Sequence, residues 1–198
     1  TATVGDFSAT AYFFGNKIQN TVDVPVGLIV TSWGGSRAEA WTDAATLKEF
    51  KSVKLPTEIP KKGIQQTPTL LYNAMLHPII GYTIKGAIWY QGESNAETRS
   101  RVREHGYMFP LLIRQWRQQW GQDEFPFLYV QLPALNRPEW PWFRNGQRRT
   151  LGHLENLGMA ITIDTGHPSN VHPRKKKPVG ERLAQWAMGT TYGLKKYA

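Results

Sequence analysis

Cysteine is absent from the 198 residues, and no apolar run approaches the roughly 18 residues of a membrane span. The first absence excludes disulfides and thiolate zinc sites, although it leaves the compartment open. The second excludes a spanning helix. The first residues, Thr-Ala-Thr-Val-Gly-Asp, have neither the charged start nor the apolar stretch of a signal peptide and read as mid-domain sequence. Acidic residues are also scarce, 15 against 24 Lys and Arg, for a net charge of +9. Basic residues cluster locally at Lys61-Lys62, Arg148-Arg149 and Arg174 to Lys177, without any nucleic-acid-binding motif. Nucleic acid is therefore a poor candidate partner, and a solvated basic face or a small anionic substrate fits better. Hydrophobic content of 40% is ordinary for one globular domain spanning residues 1 to 198.

Apolar and polar residues alternate between two periods along the chain. Ala9 to Ile18 has helical spacing behind Asp6 and Ser8, and Ala38 to Phe50 reads as a second helix. A short helix at Leu70 to Leu76 ends at His77-Pro78. A long helix from about Ser100 to Trp120 is stopped by Gly121, another helix spans about Asn145 to Asn156, and a last one starts near Lys176. Strands are expected at Pro25 to Thr31, Thr83 to Gln91, Phe125 to Leu132 and Gly158 to Asp164, the first buried on both faces. Residues 52 to 66 and the proline-rich stretch Pro133 to Trp142 read as loops. Strands alternating with helices imply an α/β fold with a parallel sheet covered on both faces.

The polar turns collect at the C-terminal ends of these strands. Gly34-Gly35 follows the first, Gly92-Glu93-Ser94-Asn95 the second, and Asp164 to His172 the fourth. That is where open α/β sheets bind ligands. Gly92 to Ala96 approximates a nucleophile elbow with Ser94 as nucleophile, His172 as base and Asp164 as its orienter, while a helix N-cap is the plain alternative for Ser94. His172 is the best placed of five histidines, and Glu93 is a second candidate to orient it. Gly35 and Asn95 offer a backbone N–H and a side-chain amide to an oxyanion. Trp33, Trp41, Trp89, Trp140 and Trp142 are either sugar-stacking surfaces or buried core.

Seven blocks extend these motifs over nearly the whole chain: Asp6 to Ala9, Pro25 to Ile29, Ser32-Trp33-Gly34-Gly35-Ser36 with Trp41, Leu71-Tyr72-Asn73, Trp89 to Asn95, Pro126-Phe127 to Gln131-Leu132, and His172-Pro173 to Leu183. In order and content they resemble the sialate O-acetylesterase family of the SGNH hydrolases. The resemblance implies a three-layer flavodoxin-like α/β fold and removal of acetyl groups from sugar hydroxyls through a serine acyl-enzyme, with no metal or cofactor. It implies Gly35 and Asn95 as the oxyanion hole, His172 as base, Glu93 as its acid with Asp164 in reserve, and Gln91 and Trp33 at the substrate. An acetylated sugar is the expected partner, and a secreted, periplasmic or lysosomal location the expected one.

Two departures accompany the resemblance. The SGNH acid usually stands three residues before the histidine, where this chain has Ser169. The SGNH nucleophile belongs to a Gly-Gln-Ser-Asn type turn after a first strand, and no such turn occurs here. In that fold order the strand lies between the first two strands read above. The expectation is an N-terminally incomplete esterase domain in which a preceding segment or chain supplies a strand and the serine. The alternatives are an elbow-type hydrolase using Ser94 and an inactive fold that at most binds sugar.

Overall fold

The computed structural model describes residues 5–122 and 124–197; the reading of residues 1 to 4 as mid-domain sequence lies outside them. Helix α1 (Ala9–Val22) starts at Ser8, whose hydroxyl accepts from the Ala11 N–H, and stops at Asp23 in a left-handed conformation. Helix α2 is short (Ala44–Leu47) and capped by the Asp43 carboxylate. Strand β1 (Ala87–Trp89) leads to the long helix α3 (Arg99–Trp120), which Thr98 caps and Gly121 ends at φ +63°. Strand β2 (Phe127–Val130), helix α4 (Trp140–Thr150), strand β3 (Leu157–Ala160) and helix α5 (Lys176–Thr190) follow.

The three strands form one parallel sheet in the order β1-β2-β3. Ala87 pairs with Phe127 and Trp89 with Tyr129, and on the other side Phe127 pairs with Leu157 and Val130 with Ala160. Side-chain alternation along β2 divides the core into two layers. Phe127 and Tyr129 join Trp89, Met159 and the α3 residues Phe109, Leu112, Ile113 and Trp116. Leu128 and Val130 face the other way, onto Ile18 of α1 and Val179, Leu183 and Ala187 of α5. Each fully buried side chain of this size contributes about 1.5–3 kcal/mol. Trp89 is the hub of the first layer, with ring centroids of Trp116 and Phe109 at 5.5 and 6.0 Å.

Helix α1 lies close against α5 because Gly180 offers no side chain. A Cβ there would stand 2.6 Å from the Thr10 carbonyl and 2.8 Å from the Phe14 nitrogen. The α/β class and parallel sheet agree with the sequence reading, but several of its elements are redrawn. Residues 25 to 31 form no ladder and carry no regular secondary structure, and Ile29 and Val30 are 52% and 38% exposed, so this segment is not a strand buried on both faces. Residues 38 to 50 break into a 3-10 turn at Ala38–Trp41 and the short α2. The helix expected near Asn145 begins at Trp140 instead, with Pro141 in its first turn, where a missing N–H costs nothing. The second and fourth strands are shorter than their apolar runs: β1 covers Ala87–Trp89, and β3 ends at Ala160 before a 3-10 turn at Ile163–Thr165.

Between residues 25–31 and β1 runs a cavity of about 610 Å³. Its walls come from both core layers, Trp116 and Trp120 on one side and Ala11, Phe14 and Ala187 on the other. Among the described residues strand β1 pairs only with β2, and its second edge faces this opening.

Candidate active site

The C-terminal end of β1 opens into a second cavity, of about 520 Å³, which shares Ala11, Ile29, Thr31, Ile88 and Trp89 with the first. Its polar lining includes Gln91, Glu93, His172 and Lys176, and Trp33, 49% exposed, forms part of its wall. Two turns hold this lining together. The first is Trp33 to Ser36, closed by a 3.3 Å bond from the Ser36 N–H to the Trp33 carbonyl, with Gly35 at φ +72°. The second is Gly92 to Ala96, in which the Gly92 carbonyl accepts from the N–H groups of Asn95 and Ala96. Gly92 has φ +145°, and a Cβ there would meet the Phe143 ring at 2.4 Å. The position therefore requires glycine twice over.

Asn95 couples the two turns. Its side-chain oxygen accepts from the Ala38 N–H at 2.9 Å and from Gln91 Nε2 at 2.8 Å, while Nδ2 donates to Glu39 Oε2 at 2.9 Å. The residue is 1% exposed. One N–H of its amide stays free of these bonds. Gln91 Nε2 also donates to the Ser36 carbonyl, and its Oε1 is buried without a partner. Sequence reading missed Glu39, although Ser36-Arg37-Ala38-Glu39 carries the Ser-x-x-Glu spacing of a helix start. Ser36 Oγ in fact accepts from Trp41 Nε1, which frees the Glu39 carboxylate for Asn95.

Asn95→Ala is expected to leave the buried Glu39 carboxylate unpaired and to lower stability by about 3 kcal/mol in a urea titration.

Glu93 and His172 share the cavity. Burial raises the Glu93 carboxyl above the ordinary carboxylate range, against its own main-chain N–H and the nearby charges of Lys176 and His172. His172 is exposed on a loop that Asn170 tightens by accepting the His172 N–H at 2.9 Å. Asp164 lies elsewhere: its carboxylate is held by both terminal nitrogens of Arg182, at 2.6 and 2.7 Å, and it lines a separate surface pocket beside Trp186. That hydrogen bonding keeps the Asp164 carboxyl down at about 2. The structure thus separates Asp164 from the cavity of His172. Ser169, at the position of the family's acid, bonds the His167 ring instead.

Ser94 donates its hydroxyl to the Gly35 carbonyl at 3.0 Å; Ser94, Gly35 and Asn95 all stand just behind the cavity lining rather than in it. The Ser94 bond clasps the two turns. Among the tryptophans, Trp41, Trp89 and Trp140 are core, whereas Trp33 and Trp142 are exposed. Tyr90 and Lys176 were not singled out by sequence; the ammonium sits 4.7 Å from the centroid of the tyrosine ring. Among the described residues no group of three or more His, Asp or Glu converges as a metal site, and no helix is long and apolar enough to cross a membrane.

Residues 7–189 match the family model described as carbohydrate esterase, sialic acid-specific acetylesterase. The human sialate O-acetylesterase is 35% identical over 211 residues, covering 95% of this chain and 40% of the relative, and the mouse protein is 33% identical with 95% and 43% covered. Among solved structures, a carbohydrate acetylesterase from Xanthomonas citri superposes with a TM-score of 0.86 at 39% identity, over 97% of this chain and 43% of that one. An Arabidopsis thaliana protein superposes at TM-score 0.62 and 19% identity, over 90% and 67%, which speaks for the fold alone. The chain spans about two fifths of the length of the curated relatives it matches.

Proposed function

Since the chain belongs to the carbohydrate esterase family of sialic acid-specific acetylesterases, we propose that it carries the histidine and the oxyanion hole of a carbohydrate O-acetylesterase whose nucleophilic serine comes from a preceding segment. The observation that carries this reading is the continuity of the two cavities. A strand laid between residues 25–31 and β1 would find apolar side chains above and below it and a free β1 edge beside it. Its C-terminal end would emerge in the cavity of Glu93 and His172. That is the position from which α/β enzymes present a nucleophile.

The chemistry then follows the serine-hydrolase pattern. The serine hydroxyl attacks an acetyl carbonyl, and His172 accepts its proton and delivers it to the departing sugar oxygen. Glu93, as carboxylate, orients the imidazolium. The Gly35 N–H and the free N–H of the Asn95 amide receive the tetrahedral oxyanion. Water, deprotonated by His172, releases acetate from the acyl-enzyme and regenerates the serine. Gln91, which fixes Asn95, and Trp33, on the cavity wall, take the sugar side of the site. The family resemblance favours an exported or lysosomal setting for this reaction.

Acetate release from an O-acetylated sugar tests the assignment, with the chain alone and with a longer protein that adds a strand and serine ahead of it. The chain alone is expected to be inactive and the longer protein active. Ser94→Ala and Asp164→Asn in the longer protein are expected to retain kcat/KM within about threefold, since neither side chain reaches the reacting groups. Activity of the chain alone that vanishes in Ser94→Ala would transfer the nucleophile to Ser94. Inactivity of the longer protein on every acetyl ester would leave a sugar-binding role.

A further inference from the structure

Helix α5 opens with an arrangement that works against its own stability. Lys176 is its first residue, so a cation stands at the positive end of the helix dipole. Its neighbours Lys175 and Lys177 are exposed, and Lys177 meets Glu181 at 4.0 Å, but Lys176 turns inward and is half-buried in the catalytic cavity. Among the described residues it forms no salt bridge within 4.0 Å. What receives the ammonium is the face of Tyr90, 4.7 Å away, three residues before Glu93. A surface lysine with ordinary solvation would gain nothing from this position.

We propose that Lys176 is a positioning residue that holds Glu93 in its carboxylate form and thereby keeps His172 oriented for proton transfer. This role rests on the assignment of Glu93 and His172 given above. Glu93, His172, Tyr90 and Lys176 are the titratable side chains of the cavity. Burial favours neutral Glu93, which could not orient an imidazolium. Lys176 is the largest side-chain charge acting against that burial, ahead of His172. The coupling is reciprocal: burial pulls the lysine down, and the Glu93 charge raises it. The Tyr90 phenol, pushed upward by burial and by Glu93, stays neutral and supplies only its ring face and a buried hydroxyl.

The test is a carboxyl-carbon NMR titration of Glu93 in the full chain, compared with Lys176→Met and Lys176→Arg. The methionine variant is expected to raise the Glu93 midpoint by about one pH unit, and the arginine variant to leave it near the parent value. In the longer, serine-bearing protein the acid limb of kcat/KM should move upward with it. An unchanged midpoint in Lys176→Met, or an equal rise in Lys176→Arg, would overturn the role. Should Lys176→Met not fold, Lys176→Gln gives the same reading. The titration needs no turnover, so an inactive enzyme with a shifted midpoint would refute the esterase assignment, and an active one with no shift only the role of Lys176.

Discussion

Replacing His172 by alanine in the serine-bearing protein is expected to lower kcat/KM toward an acetylated sugar by about 10³-fold, because His172 is the one imidazole among the described residues that line the cavity. Glu93→Gln should cost as much or more, up to about 10⁴-fold, since an amide can still accept a hydrogen bond from the ring but cannot balance its charge. The same substitution is expected to stabilise the protein at neutral pH. The Glu93 carboxyl is raised on folding, chiefly by burial. Below its unfolded value the group is protonated in both states and contributes fully. As pH rises through the raised folded value, the unfolded chain releases its proton more readily and that contribution is lost. Glutamine has no such loss. Paired measurements of acetate release and urea midpoint at pH 7 separate the two effects, and a destabilised Glu93→Gln would contradict them.

A second large effect lies behind the site. His105 is 3% exposed, stacked against Phe109 at 5.2 Å and Phe143 at 4.5 Å, with Nε2 unpartnered. Burial lowers its pKa to about 3. Between the unfolded histidine value, about 6.5, and that folded value, the unfolded chain binds a proton that the native chain refuses. Stability is therefore complete above pH about 6.5 and falls by about 1.4 kcal/mol for each unit of acidification. Urea midpoints taken from pH 7 to 4.5 should show this slope in the parent and lose it in His105→Leu. Equal slopes would mean that His105 does not control the acid limit. Phe143 also packs against Gly92, so His105 and the Gly92 turn share one aromatic neighbour.

Sequence made legible the features that depend on neighbours along the chain. Ser8 and Gly121 mark helix ends by their own chemistry and stand where the sequence places them, whereas the cap of the long helix is Thr98, just ahead of the Ser100 start read from sequence. The run Phe125 to Leu132 reads as a strand, and its middle, Phe127 to Val130, is one, buried on both faces between β1 and β3. Pro25 to Thr31 has the same apolar content, but a strand also needs a partner at hydrogen-bond distance, and composition does not contain that information. Pro141 misled in the opposite sense, because proline within a loop and proline in the first turn of a helix look alike until the helix start is located. At the site, the residue types were readable and their partners were not. Sequence placed Glu93 ahead of Asp164 as the acid but held no sign of Arg182, eighteen residues beyond Asp164, whose guanidinium engages the Asp164 carboxylate away from the cavity. Lys176 was hidden within a run of three lysines whose other members point to water.

The free edge of β1 has a further consequence, for handling rather than for catalysis. An unpaired parallel edge with apolar walls on either side is a template that any extended apolar peptide can read, including the same edge of another molecule. The absence of cysteine rules out covalent crosslinks as a cause of clumping, and the charge of +9 opposes it by repulsion at low salt. Clumping is thus expected to grow with ionic strength: as salt screens that repulsion, the unpaired main-chain N–H and C=O groups of this edge are left to find partners between molecules.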